Sequence, residues 1–379
     1  VYDGLVINAN GPSSVAIVGG TFTGLEIETE EETSVAVSGG TFDSLIPAEY
    51  LAADVALDVV DGGFAVIAAE AAATAVIDGV SYVFADINDA LAQGDMVKLL
   101  ADVNASIVIA EGRDITIDLN GFTLTGEGDH TIVNNGTLTV IDSSAAKSGA
   151  VDNVTHAKGA LVNNGTATLN GGTFKRSAEA GVSATDNGGN SWYVIENHGT
   201  LTINDGVAVY HGTSAETAAQ WKYSSLIRNV GTSADATATL TVNSGEFYTG
   251  RIALKNDDYG TLTVNGGQIS SGNQAVQNWY KAAVNGGTFN GQVITWFYGS
   301  NIGAAAMTIN DGIFNAQVKS VDYDAGADGV YPMVDEGTAI SGGKFAVMPN
   351  EAYFVEGLTG ALVDGYYAVS NTHLTLPTT

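Results

Sequence analysis

All four tryptophans of the chain fall between residues 192 and 296, and each has an aromatic companion. Trp192 stands with Tyr193, Trp221 with Tyr223, Trp279 with Tyr280, and Trp296 with Phe297 and Tyr298. Exposed indole and phenol rings are platforms on which sugar rings stack; the same rings otherwise pack loops onto a core. These eight Trp and Tyr residues are therefore the candidate carbohydrate-binding set. Counted to the next of the strand-ending asparagines, Asn204, Asn243, Asn285 and Asn310, the tryptophans stand 12, 22, 6 and 14 residues away, which predicts no single aligned stripe.

A second kind of chemistry is suggested by DAGADG at 324–329. With Asp335 eleven residues after Asp324, it matches positions 1, 5, 6 and 12 of a calcium loop, with Tyr331 at position 8. Asp324, Asp328 and Asp335 are the candidate ligands, and calcium is the one cofactor the sequence suggests. Gly326 stands where a third-position Asp or Asn belongs, and Pro332 hampers an exiting helix. An acidic insertion loop is the competing reading. In RIALKNDDYG, at 251–260, Arg251 and Lys255 stand near Asp257 and Asp258. Such a group can serve proton abstraction or pair its charges at a solvated corner. His198 and His211 read as corner and surface residues.

Composition narrows the partners. Asp and Glu number 42 against 13 Lys and Arg, for a net charge of −29, which opposes binding of nucleic acid through phosphate neutralisation. With 379 residues and 45% hydrophobic content the chain can bury a substantial core, and with no cysteine it must do so without disulfides. No apolar run is long enough to span a membrane. The chain begins at Val1 with no signal-like segment, so an export signal is expected outside this fragment.

The elements that must position these groups are written as a repeat. NNGTATLNGG at 163–172, NHGTLTINDG at 197–206 and DYGTLTVNGG at 258–267 share one spelling. Within them Thr-Leu-Thr-Ile alternates with period two, which predicts a strand burying Leu201 and Ile203 and exposing Thr200 and Thr202. Each strand ends at a corner, at Asn170, Asn204, Asn243, Asn265, Asn285 and Asn310, with Gly two residues later. The corners are separated by 34, 39, 22, 20 and 25 residues, short intervals suiting one three-strand coil and longer ones a coil with an inserted loop. Four residues past each corner stand Phe174, Ala208, Phe247, Ile269, Phe289 and Phe314, with Phe42 and Phe345 at the same offset in VSGGTF and ISGGKF. They predict a buried column. Leu169, Ile203, Val242, Val264, Val284 and Ile309 predict a second, and the corner asparagines a hydrogen-bonded third. Asn135, Asn164 and His198, each followed by Gly, predict another corner row before the Thr-rich strand.

The GGTF, NNGTLTI and DLNGFTLTG phrases resemble the right-handed parallel β-helix, or pectin-lyase-like, fold and, more narrowly, the adhesin-like repeat proteins of bacterial cell surfaces. The resemblance covers most of residues 1–369. It implies an all-β, right-handed parallel β-helix solenoid and an extracellular location on a cell surface or cell wall. Polysaccharide lyases of this fold use an acidic calcium cluster and a basic residue, for which Arg228, Arg251, Lys255 and Lys281 are the only local candidates. The hydrolases carry NTD, DD, GHG and RIK in order; here NDG at 204, YHG at 210, RIALK at 251 and DD at 257 fail in order and spelling.

Residues 39–66 are echoed by 342–369, each running from a Gly-Gly corner through Pro and Tyr to a terminal Asp-Gly-aromatic strand. Both read as closing caps. Residues 1–67 then form the end of a preceding unit, 68–75 a linker, and 76–368 a second unit. This unit opens with a short capping helix bearing Ala85, Ile87, Leu91 and Ala92, with Gly94 at its C′ position. VSNTHLTLPTT at 369–379 resembles a translated sequencing adapter and is expected not to be natural. The expectation from these residues is a non-enzymatic surface stalk or adhesin presenting loops to a glycan or a cell-surface protein, with neither nucleic acid nor an inserted membrane segment. A carbohydrate-active enzyme and a non-catalytic glycan-binding module are the alternatives.

Overall fold

The computed structural model describes residues 2–3, 6–9, 12–29, 33–155, 157–176, 193–211, 225–297 and 305–370. Among them the chain is almost wholly β, with strands assembled into a 17-stranded and a 19-stranded sheet that are mostly parallel. The repeat generates this pattern. Thr200–Ile203 pairs in parallel with Thr166–Leu169 of the previous repeat and with Ala238–Val242 of the next. The following strands of the same repeat, Val207–His211 and Ser225–Asn229, belong to the other sheet. In three later repeats those two strands run on as one bent strand: Glu246–Asn256, Gln268–Asn278 and Thr288–Phe297. The arrangement is compatible with a β-helix-like solenoid.

Alternation places the core where the sequence reading put it. Leu201 and Ile203 are fully buried, Thr200 is exposed and Thr202 half-buried between the threonines it pairs with, Thr168 and Thr241. All six aliphatic residues before the corners are buried. The aromatic column is real with one substitution. Phe174 faces Val209, and Val209 faces Phe247. Ala208 lies one position off because the corner at Asn204 carries one residue more than the corner at Asn170. Gly172 pairs with Val207, and Gly206 absorbs the extra residue at a φ of 81°. Further along, Phe289, Phe314 and Phe345 stack with centroids 4.8 and 4.7 Å apart and nearly parallel planes.

Two asparagine ladders run along the stack. The outer one links all six corner residues: Asn204 Nδ2 donates to Asn170 Oδ1 at 2.7 Å, and Asn243, Asn265, Asn285 and Asn310 continue it, each donating to its predecessor. Ser341 closes it by donating its hydroxyl to Asn310 Oδ1. The other ladder is buried and lies one residue before the expected row. Asn134, Asn163, Asn197, Asn229, Asn256 and Asn278 are wholly buried, and the Nδ2 of each of the first five donates to the Oδ1 of the next at 2.7–2.8 Å. The same Nδ2 also donates to a backbone carbonyl of the following repeat, such as that of Thr200 for Asn163, and this fixes the ladder's direction. Asn135 and Asn164 face solvent and bond to one another.

The stack begins beside the helix Ile87–Gln93, capped by Asp86 and burying Ile87, Ala90 and Leu91. It packs on Ala73–Ile77, Val80–Phe84 and Met96–Leu99. Ala92 is exposed, and Gly94 is extended rather than left-handed, with φ −136°. Its lack of a side chain serves close approach instead: a Cβ there would lie 3.0 Å from both the Ala75 Cβ and the Val76 carbonyl oxygen. The echoing segments fold alike. Ala48–Tyr50 and Glu351–Tyr353 are 3-10 turns, and each is followed by a hairpin whose second strand pairs antiparallel with the Gly-Gly strand, Phe42 with Phe64 and Phe345 with Tyr367. Val369, the first residue of the expected unnatural tail, is buried in the second hairpin; 371–379 lie outside the described residues.

Candidate functional site

One row of side chains on the outer face of the 19-stranded sheet carries most of the polar chemistry. Glu196, Arg228, Lys255, Gln277, Ile294 and Lys319 are in register on successive repeats. Toward its start the row is an ion-pair network. Arg228 donates to Asp257 at 2.7 Å and to Glu196 at 3.0 Å, Lys255 lies 3.0 Å from Asp257, and His198 lies 3.6 Å from Glu196. Burial works to raise the Glu196 pKa, but hydrogen bonding from His198 and the Arg228 charge hold it below the usual range. Burial opposes the charge on Lys255, yet Tyr193 and Asp257 raise its pKa. Glu196 and Lys255 are thus held in their charged forms by their neighbours. The corner at Asp257 is packed rather than solvated, since its side chain is 12% exposed.

Toward the other end the row opens into a cleft of about 610 Å³. Trp279 and Trp296 stand on consecutive repeats with centroids 5.1 Å apart and planes 14° from parallel. Tyr331 meets Trp296 edge-on at 4.8 Å, and Tyr323 stacks on Tyr331 at 5.4 Å. Asn273, Gln274, Gln277, Gln292, Arg251 and Lys319 complete the polar lining. Register explains the indole pair. Trp279 and Trp296 follow Asn278 and Thr295, which pair directly, and bulges between the bent strands shift the count along the chain without shifting the rows.

The sequence-based candidates therefore divide. Trp279 and Trp296 come together in the cleft. Tyr193 lies apart, with Arg228 and Lys255 over its ring at 5.7 and 5.9 Å. Tyr280 packs against Tyr259 and beneath Lys281. Trp192, Trp221, Tyr223 and Tyr298 lie outside the described residues. Asp324, Asp328 and Asp335 do not converge; among the described residues no three His, Cys, Asp or Glu side chains are grouped to hold a metal. Asp328 and Gly329 instead have φ of 55° and 77° in a tight turn closed by Ala327 and Val330, and Asp335 accepts from Asn350 Nδ2. His211, expected at the surface, is 1% exposed beside Arg176, its register partner. Burial and the Arg176 charge push its imidazole down to about 4.

Sequence reasoning missed the glutamines and both tyrosines of the cleft. A signal was present, since Gln274 and Gln277 lie five and two residues before Trp279, and Gln292 four before Trp296. Compared with known proteins, the chain matches no family model, no curated protein and no solved structure.

Proposed function

We propose that the stacked repeats are the coils of a right-handed parallel β-helix of the pectin-lyase-like kind. In this reading the chain is an extracellular, adhesin-like segment of a bacterial surface protein that acts without catalysis. Its rigid stack holds the aromatic cleft out to a glycan. The two like-folded closing hairpins support two units, 1–67 and 76–368, joined at 68–75. The observation that carries the binding reading is the Trp279–Trp296 pair lining one cleft with three glutamine amides. Aromatic faces and edges beside amides that both donate and accept suit sugar rings and their hydroxyls. Binding is favoured over turnover because the strongest acid and base cluster, Glu196–Arg228–Asp257–Lys255, is occupied in mutual ion pairs.

The test is a glycan panel probed with the whole chain, followed for retention and for unsaturated or reducing-end products. The expected result is retention without product, weakened at least about tenfold, or about 1.4 kcal/mol, by Trp279→Ala with an unchanged melting curve. Product formation, or retention indifferent to Trp279→Ala, would overturn the reading.

A further inference from the structure

The 13 cations of the chain stand among 42 acidic residues. Lys98, Arg113, Lys158, Lys175, Arg228 and Lys255 each lie within 4 Å of one. Among the described residues Arg251 and Lys319, like Lys147, Lys281 and Lys344, lie within 4 Å of none, and of these five Arg251 and Lys319 are the two that line the aromatic cleft. Burial alone lowers the Arg251 pKa, with no acid nearby to offset it. A half-buried guanidinium in this state gains most from an anion that meets its planar fork with two hydrogen bonds.

The cleft holds two more unanswered groups. Trp296 is 8% exposed and its Nε1 is buried with no hydrogen-bond partner among the described residues; Gln274 Oε1 is likewise a buried atom with no partner among them. Buried polar groups are nearly always satisfied, so a donor and an acceptor left open in one cleft await a ligand or water. Together they match a sugar hydroxyl, which both accepts and donates.

Resting on the reading of the cleft as a glycan site, we propose that its ligand is a sugar residue bearing an anionic substituent, carboxylate or sulfate. The anion lies against Arg251 and Lys319 while ring hydroxyls meet Trp296 Nε1 and Gln274 Oε1. The net charge of −29 repels long polyanions, but at physiological ionic strength it is screened beyond about 8 Å. Short or sparsely charged glycans are therefore the class that fits.

Calorimetry on the whole chain tests this with two matched pairs: hyaluronan hexasaccharide against its carboxyl-reduced form, and κ-carrageenan hexasaccharide against its desulfated form. The expected result is that at least one anionic member binds about tenfold or more tighter than its neutral partner, and which pair discriminates identifies carboxylate or sulfate. Arg251→Gln removes the discrimination and Lys319→Gln reduces it, while Lys344→Gln, which removes a charge outside the cleft, leaves it unchanged. Melting curves confirm that each variant is folded, and Lys319→Gln carries the test if Arg251→Gln is not. Equal binding within both pairs, lost on Trp279→Ala, overturns the anion and leaves the glycan reading intact. Absence of binding to all four overturns the anion inference, and the glycan panel then decides the reading beneath it.

Discussion

Asn229 Nδ2 donates to Asn256 Oδ1 across 2.8 Å, and both side chains are wholly buried. Asn229→Ala strands the Asn256 acceptor and removes one of the three acceptors of Asn197 Nδ2, leaving it the Gly199 and Thr239 carbonyls. The expected loss is about 2–3 kcal/mol, from desolvated groups left unpaired. Asn265→Ala, in the outer ladder where water replaces the lost partner, is expected to cost about 1 kcal/mol or less. Urea midpoints of the two variants check the contrast; equal losses would mean that burial does not set the ladder's worth.

Phe289 sits between Ile269 and Phe314 in the aromatic column and is fully buried. Phe289→Ala is expected to destabilise by about 3–5 kcal/mol through lost transfer energy and a cavity that neighbouring repeats cannot close. Phe289→Leu should retain most of the stability. Denaturant unfolding of both distinguishes a packed column from a loose one.

His211 sets a pH window. In the unfolded chain it takes up a proton near pH 6.5, whereas in the native state it does so only at about 4. Between those values the unfolded chain binds more protons, so stability is full above about pH 6.5 and falls as pH drops, by about 3 kcal/mol across the window. Urea midpoints at about pH 7.5 and 5 should differ in the parent and converge in His211→Gln. A slope that survives the substitution would assign it to other groups.

At Asp328 the left-handed turn, rather than a cation, is expected to govern behaviour. Asp328→Ala keeps the β-carbon at a φ of 55° and loses the short polar side chain whose local hydrogen bonding lets Asp or Asn tolerate that conformation, at a cost of about 1 kcal/mol. Asp328→Asn should be neutral, and a chelator should leave the melting temperature of the parent where it was. A chelator-induced drop that Asp328→Asn abolishes would restore the calcium loop.

The rows and corners were legible because strand alternation and Asn-Gly punctuation are local signals, repeated often enough to align. Ala208 was misplaced because offsets from a corner fail when the corner itself gains a residue. The buried asparagines hid beside Asn135, Asn164 and His198: a polar residue next to a glycine corner reads as the corner, and only pairing between repeats shows which of two neighbours points inward. The tryptophans looked unaligned for a related reason. Trp279 stands 14 residues after Asn265 and Trp296 only 11 after Asn285, yet the bulges bring them into one row. Tyr323 and Tyr331 arrive from an insertion that no repeat arithmetic reaches, which is why half of the cleft's aromatic wall was invisible beforehand.

Because the outer ladder ties each corner to the one before it and ignores the path between, spacings of 20 and 39 residues stack equally well. Heredity can work on such a chain in whole turns. A duplicated, deleted or recombined turn lands on an amide that accepts any successor offering the same donor, so length and decoration can diverge between lineages while the thread holding them stays the same.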